Sequence, residues 1–304
     1  MAPADAERAP PTTTSNIDHG RALLRDPYLM EQSMLWANVG DVRTAPSPKL
    51  RGACPVCGSV VIARCGTQRV HHWAHLGERV CDHWWESETD WHRAWKQNFP
   101  HDWQEYVMHD DAGEKHIADV RTSDNVVIEF QHSHLPAEER TAREQFYRDM
   151  VWVVDGLRLA RDLPRFLKGA RDFRRIGQGI FEHPFPKELF PTPWLGATAP
   201  VLFDFGPGSM PSKDLVPSEA PLWCLLPQQG VQATVLRIAR ETFIRVANER
   251  PRTLLFLQVQ EQRAQALAVQ RQRADDERLR YFAAMLRAQR MRRRPYGRRW
   301  PKRL

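Results

Sequence analysis

Residues Lys115–Ser133 read KHIADVRTSDNVVIEFQHS, two short β-favouring runs on either side of a polar turn. Ile117 to Arg121 and Val126 to Gln131 form the runs, and Thr122, Ser123, Asp124 and Asn125 between them carry turn chemistry. The stretch is predicted to be a β-hairpin. With a three-residue loop from Ser123 to Asn125, pairing is symmetric about Asp124, which sets Asp119 directly opposite Glu129. Side chains alternate along a strand, so Val126, Ile128 and Phe130 face the core, while Val127, Glu129 and Gln131 share the other face with Asp119. Like charges facing each other in a sheet repel unless something neutralises them. A divalent cation does so, since Mg²⁺ is usually held by one or two carboxylates together with phosphate oxygens and water. A metal-dependent nuclease site is the expected reading.

Upstream, Ser87 followed three residues later by Asp90 is a capping-box pattern, and it predicts a helix over 87–99 that stops before Pro100. Trp91, Ala94, Trp95 and Phe99 form its apolar stripe, and Glu88, His92 and Lys96, four apart, stack along one flank. Continuing in order, the chain predicts strands 102–108, 115–121 and 126–131, a helix 136–149 and a strand 151–155.

Helix, three-strand meander, helix, strand is the core order of the restriction-endonuclease-like fold, an α/β class. The sequence resembles the competence-protein CoiA-like nuclease family. The matching residues are Cys54-Pro-Val-Cys57, His72-Trp-Ala-His75, the row Glu88, His92, Lys96, then Ile117-Ala-Asp119-Val120, Ile128-Glu-Phe-Gln131-His-Ser133, Arg143, Tyr147 and Val151 to Asp155. They span roughly residues 50–156. The resemblance implies that Asp119 and Glu129 bind Mg²⁺ or Mn²⁺, that Glu88 contributes a further carboxylate, and that Gln131 stands where many related nucleases carry a catalytic Lys. A neutral amide cannot stabilise a pentavalent phosphate, so another cation must. Lys96 is the first candidate and Lys115 the second. His116 occupies a position where the family often has Arg, and His92 is expected to orient Glu88 or relay a proton.

The five cysteines in 304 residues do not make a disulfide framework. Cys54 and Cys57 form a knuckle that suggests structural zinc, with further donors at His71, His72, His75, Cys81 and His83. His72 and His75 match the histidine motif of the family and are the first choice as remaining ligands, with Cys81 as substitute. Cys65 and Cys224 read as packing residues.

Composition bounds the rest. With 42% hydrophobic residues the chain can bury a sizeable core, and no apolar run reaches the ~20 residues that span a bilayer. Residues 1–16 lack the apolar core of a signal peptide, so a cytoplasmic location is expected. The formal net charge is +7, unevenly spread: Val259 to Leu304 carries 14 Lys/Arg against 4 Asp/Glu, so the tail is +10 and the rest about −3. A helix is predicted from Glu261 to Met291, a possible surface for homo-oligomers. Beyond it Arg292, Arg293, Arg294, Arg298, Arg299, Lys302 and Arg303, interleaved with Tyr296 and Trp300, suit sequence-independent phosphate contacts and base stacking. DNA is the expected partner, RNA is not excluded, and no membrane is expected.

The expected division is a disordered 1–16, a β/zinc-knuckle region 17–85 with a small β-like element over Asp26 to Pro48, a nuclease-like core 86–156, a small α+β accessory region 157–258 and a basic helical tail 259–304. In the accessory region Val201 to Phe205 and Leu222 to Leu226 read as strands and Thr234 to Arg250 as a helix; Trp194 and Trp223 are candidates for contact with DNA or a partner if exposed, although aromatics in strand-like runs are mostly core. Two functions fit this pattern: a metal-dependent DNA endonuclease, implied by the family to handle incoming DNA in transformation and recombination, and a zinc-stabilised DNA-binding adaptor that has lost cleavage.

Overall fold

Six short strands precede the hairpin. They are β1 (Ser33–Met34), β2 (Ala37–Val39), β3 (Val42–Thr44), β4 (Arg51–Ala53), β5 (Val60–Arg64) and β6 (His72–His75), in the sheet order β1-β6-β5-β4-β2-β3. The structure, a computed structural model, describes residues 33–67, 70–76, 81–86, 88–207, 220–228 and 232–292. The expected disordered stretch 1–16, Ser87 and the cations Arg293, Arg294, Arg298, Arg299, Lys302 and Arg303 lie outside those residues. So few core residues are available to this small sheet that it borrows apolar surface. Met34, Val61 and Trp73 pack with Val107 and Ile117 of the next sheet.

The second sheet holds nine strands. Its first part is helix α1 (Asp90–Lys96), the meander β7 (Gln104–His109), β8 (Lys115–Arg121) and β9 (Val127–Gln131), helix α2 (Ala137–Tyr147) and strand β10 (Met150–Asp155). The predicted hairpin forms in the predicted register, with Val120 opposite Ile128 and Arg121 opposite Val127. Thr122 N donates to the Val126 carbonyl at 3.0 Å, and Asn125 takes a φ of +63°, the left-handed residue that a three-residue hairpin loop requires. Helix α2 carries the chain back so that β10 runs parallel to β9. Every residue of β9 is buried, as expected for a strand covered on both faces. The carboxylate-bearing face is therefore as dry as the core-facing one.

The remaining chain extends the same sheet. Helix α3 (Asp162–Gly169) leads to β11 (Arg174–Gly177), β12 (Ile180–His183), β13 (Val201–Asp204), β14 (Pro221–Leu225) and β15 (Ala233–Ala239). The strand order is β11-β12-β15-β14-β13-β10-β9-β8-β7, with β10 parallel to β13 as well. The boundary expected at residue 156 thus falls inside one sheet, and both sides of it contribute to each of two apolar layers. The overall class is mixed α/β with two sheets and five helices among the described residues.

Three local expectations change. The helix expected over 234–250 is β15 followed by α4 (Arg240–Glu249), because the β-branched run from Thr234 to Ile238 pairs with β14 and its pairing outweighs helix propensity. Helix α1 starts later than predicted: its N-cap is Thr89, whose hydroxyl accepts from His92 N while the His92 ring accepts from Thr89 N, so His92 supplies the second half of the capping box. Ala94 is exposed, and the buried face of α1 carries His92, Trp95 and Lys96. Trp194 and Trp223 join the core, as aromatics in such runs usually do, in the layer with Trp152 and Phe203.

Helix α5 (Leu257–Arg292) covers the helix predicted from Glu261 to Met291, and its residues from Arg271 to Gln289 are exposed all round. No helix among the described residues is long and apolar enough to cross a membrane.

Trp95 ties the early and late parts of the large sheet together. It stacks on Phe130, donates from Nε1 to Asp204 Oδ2 at 3.1 Å, and lies 3.8 Å beneath the Arg240 guanidinium. Trp95→Ala is expected to cost about 3–5 kcal/mol, the range for removing a buried Trp, measured by urea denaturation.

Candidate functional site

Asp119 and Glu129 meet where the ladder between β8 and β9 breaks. Glu129 Oε1 accepts Asp119 N at 3.1 Å and Asp119 Oδ2 accepts Phe130 N at 2.9 Å, so the two carboxylates take over backbone bonding there. Alternation also breaks. Ala118 packs in the layer of α2 and Val120 in the layer of α1, although they are two residues apart. On the other side of β8, Gln104 pairs with Val120 and Tyr106 with Ala118, which leaves Glu105 facing Asp119 with a φ of +44°. That left-handed conformation costs a non-glycine residue roughly 1–3 kcal/mol, and it aims the Glu105 carboxylate inward.

Lys96 is the focus of this geometry. Its ammonium lies 3.0 Å from Asp119 Oδ1, 3.3 Å from Glu105 Oε1 and 3.4 Å from Glu88 Oε2. Burial alone would lower its pKa, but attraction to Asp119, Glu88 and Glu105 outweighs that and holds it well above the usual lysine value. Glu88 precedes α1 rather than lying on it, so the contact with Lys96 comes from the turn before the helix and not from helical stacking. Arg143 on α2 secures the other carboxylate, with Nη1 donating to Glu129 Oε2 at 3.1 Å and further bonds to Glu139 and the Trp84 carbonyl.

Sequence reasoning missed three acids of the site, Asp82, Glu86 and Glu105. Glu86 accepts from Gln131 Nε2 at 2.6 Å and from the Ser133 backbone, so Gln131 fixes Glu86 rather than standing free as a polar catalytic group. Glu105 Oε2 accepts from the backbone N–H groups of Leu35 and Trp36 in the first sheet. Symmetry of the β7–β8 turn about Ala112, like that of the hairpin about Asp124, places Glu105 opposite Asp119; Glu86 follows from no local signal. His92 is neutral, since burial lowers its pKa to about 4. Its Nδ1 accepts from Thr89 N, which leaves the proton on Nε2, 3.8 Å from Glu86. Its neighbour is Glu86, and the expected orientation of Glu88 does not occur.

The other cation candidates stand apart. Lys115 is exposed at the start of β8. His116 is buried between Asp82 and Glu114, at 2.9 Å from each, and stacks on Trp84, so its ring has a structural role.

These groups line a cavity of about 50 Å³, room for an ion with a few waters and not for a nucleotide. Six carboxylates, Asp82, Glu86, Glu88, Glu105, Asp119 and Glu129, line it with two cations, Lys96 and Arg143, and Asp82 is taken up by His116 and the Ile117 N–H. Glu88 Oε1 and His92 Nε2 are buried there without a hydrogen-bond partner. The lining thus has negative charge in surplus and one open carboxylate oxygen, Glu88 Oε1, which fits a divalent cation held by carboxylates.

A second cluster lies in the first sheet. Cys54, Cys57, His75 and Cys81 bring their ligand atoms within 4.8 Å of one another and can hold a metal such as zinc. The knuckle turns at Gly58, φ +70°, whose N–H donates to the Cys54 carbonyl. Cys54 Sγ is 3.6 Å from Cys81 Sγ, and Cys57 Sγ is 3.3 Å from His75 Nε2. The hydrogen bond from Cys81, with backbone N–H groups of Cys57 and Val56, lowers the Cys54 thiol to about 5. His72 is not a member. It sits three residues from His75 on β6, hence on the opposite face, and its Nδ1 bonds to the Val70 carbonyl. Cys81 takes the fourth place. Of the packing cysteines, Cys224 is fully buried and Cys65 half-buried.

Comparison with protein-family models, with curated proteins and with solved structures returns no match for this chain.

Two outcomes follow from this geometry. Elemental analysis is expected to find close to one zinc per chain, lost in Cys81→Ser and kept in His72→Ala. The second concerns pH. Burial raises Glu86 and Glu105 to about 7 and Glu129 to about 8, from 4.5 when unfolded. The folded state then binds the extra protons, so this stability is complete below 4.5 and is lost as pH rises through 7 to 8. His92, lowered from 6.5, acts in the opposite sense only below 6.5. The melting temperature of protein dialysed free of Mg²⁺, with zinc retained, should fall between pH 6.5 and 8, and less so in Glu129→Gln.

Proposed function

We propose that this chain is a metal-dependent nuclease of restriction-endonuclease-like type, akin to the CoiA-like family, that hydrolyses phosphodiester bonds in nucleic acid. The observation that carries the reading is the small cavity in which Asp119, Glu129, Glu86 and Glu88 converge beside a buried lysine, with Glu88 Oε1 left open. Helix α1, the β7–β9 meander and α2 each line it, and β10 follows α2, the element order that such nucleases use.

Asp119 and Glu129 are the assigned ion ligands, with Glu88 adding a carboxylate oxygen. Bound there, Mg²⁺ or Mn²⁺ supplies Lewis acidity to a phosphoryl oxygen and lowers the pKa of a nucleophilic water. Lys96 provides the positive charge that Gln131 cannot, next to the carboxylate that holds the ion. His92 presents an N–H to the cavity and in this tautomer donates rather than accepts. Arg143 pins Glu129, and Gln131 pins Glu86. The tail cations from Arg292 to Arg303 supply sequence-independent affinity for DNA, or for RNA, which offers the same phosphates. Handling of incoming DNA during transformation or recombination is the setting proposed.

One observation favours the second reading, a non-cleaving zinc-stabilised adaptor. Both oxygens of Glu129 and both of Asp119 already have protein donors or a cation beside them. Labelled single- and double-stranded DNA and RNA incubated with Mg²⁺, Mn²⁺ or EDTA separate the two. Cleavage with a divalent ion and none in EDTA is expected, and Asp119→Asn and Glu129→Gln should each slow it by about 10³-fold, the scale of losing a principal electrostatic stabiliser. Both variants should still bind DNA in EDTA. Binding by the wild-type chain without cleavage under any condition establishes the adaptor, and neither binding nor cleavage removes both readings.

A further inference from the structure

Beside the carboxylate pocket, at the carboxyl ends of the parallel strands β9 and β10, a larger cavity of about 180 Å³ opens. Open α/β sheets bind ligands outside the carboxyl ends of their strands. The wall between the two cavities is thin: Glu86 is gripped by both Gln131 and Ser133, and the His132 ring centroid lies 6.0 Å from that of His92. One side of the larger cavity is basic. Arg158, Arg161 and His134 are exposed there. The acidic neighbours are spoken for, Asp155 by His132 at 2.7 Å and Asp162 by Arg165 at 2.9 Å, with Arg161 only at 4.0 Å from Asp162. Arg158 has no ion pair among the described residues. The other side is apolar, formed by Pro191, Pro193 and Trp194. A cavity of about 150 Å³ admits a benzene ring, so this one admits a nucleobase, and it is too narrow for a base pair.

We propose that this cavity seats one unpaired nucleotide of the substrate, its phosphate on Arg158 and Arg161 and its base against the apolar wall, next to the phosphate presented to Asp119 and Glu129. The assignment rests on the nucleic-acid reading above and adds a preference for single strands.

The test uses the full chain in EDTA, where cleavage plays no part, with a fluorescent single-stranded oligothymidylate carrying a photoactivatable iodinated base. Arg158→Ala combined with Arg161→Ala should weaken binding several-fold and reduce the slope of log K against log salt by about 0.7, the value for the one phosphate that the two arginines hold. Arg174→Ala combined with Arg175→Ala, on the edge strand β11, should reduce binding less. Photocrosslinks in the wild-type chain should map to peptides holding His134 or Trp194, and a fully paired duplex of the same length should not form them. Unchanged affinity and slope in the first variant, or crosslinks confined to the tail, would overturn the subsite while leaving a nuclease intact. Crosslinks to these peptides from duplex as strongly as from single strand would overturn the single-strand preference. A wild-type chain that binds no nucleic acid would overturn the underlying reading as well.

Discussion

The buried ammonium of Lys96, in contact with Asp119, Glu105 and Glu88, is the constraint on which the rest of the site depends. It joins four segments: helix α1, the turn before it, β7 and β8. Such a cluster is a poor source of net stability, because removing several charges from water costs several kcal/mol each and the mutual attraction recovers this only with good geometry. What it provides is position. Removing Lys96 would leave three carboxylates buried together, so the ammonium fixes how closely β7 and β8 can bring their acids to the helix.

The backbone yields to the same requirement. Glu105 takes a left-handed conformation and Asp119 breaks the alternation of β8, so two neighbouring strands each give up regular geometry at the level of the ammonium. Phe130 N and Asp119 N, which lose their regular ladder partners at the break, bond instead to Asp119 and Glu129 carboxylates. A buried backbone N–H left unpaired would cost about 1–3 kcal/mol, so the carboxylates serve the sheet as well as the cavity.

The zinc-knuckle region is coupled to this arrangement. Its sheet places the Leu35 and Trp36 N–H groups on Glu105 Oε2, and Val107 and Ile117 of the large sheet complete its core. A metal at Cys54, Cys57, His75 and Cys81 would stand one side chain from the carboxylate cavity, since Met34 lines that cavity and its Sδ lies 3.9 Å from Cys54 Sγ. Through those two N–H groups the first sheet holds Glu105, one of the three partners of Lys96.

The hairpin was legible because everything that sets it is local: the turn residues from Thr122 to Asn125 fix the register, and register fixes which acids face each other. The Cys54 and Cys57 pair was legible for the same reason, a short turn closed by Gly58. Other features were decided by contacts between segments far apart in the chain. Cys81 displaced His72 because strand β6 turns His72 and His75 to opposite faces, and a four-residue window does not reveal a strand. Thr234 to Ile238 became strand because β14 offered it a ladder, and β11–β15 joined the sheet of β7–β10 because β13 pairs with β10. Glu86 reached the cavity only through the end of β9, 45 residues away. The sequence alone determined the local turns and the facing pair Asp119 and Glu129, since backbone chemistry within a few residues suffices for those. Only the tertiary structure decided which further acids, cations and thiols surround them, because burial and charge pairing depend on segments that the chain order keeps apart.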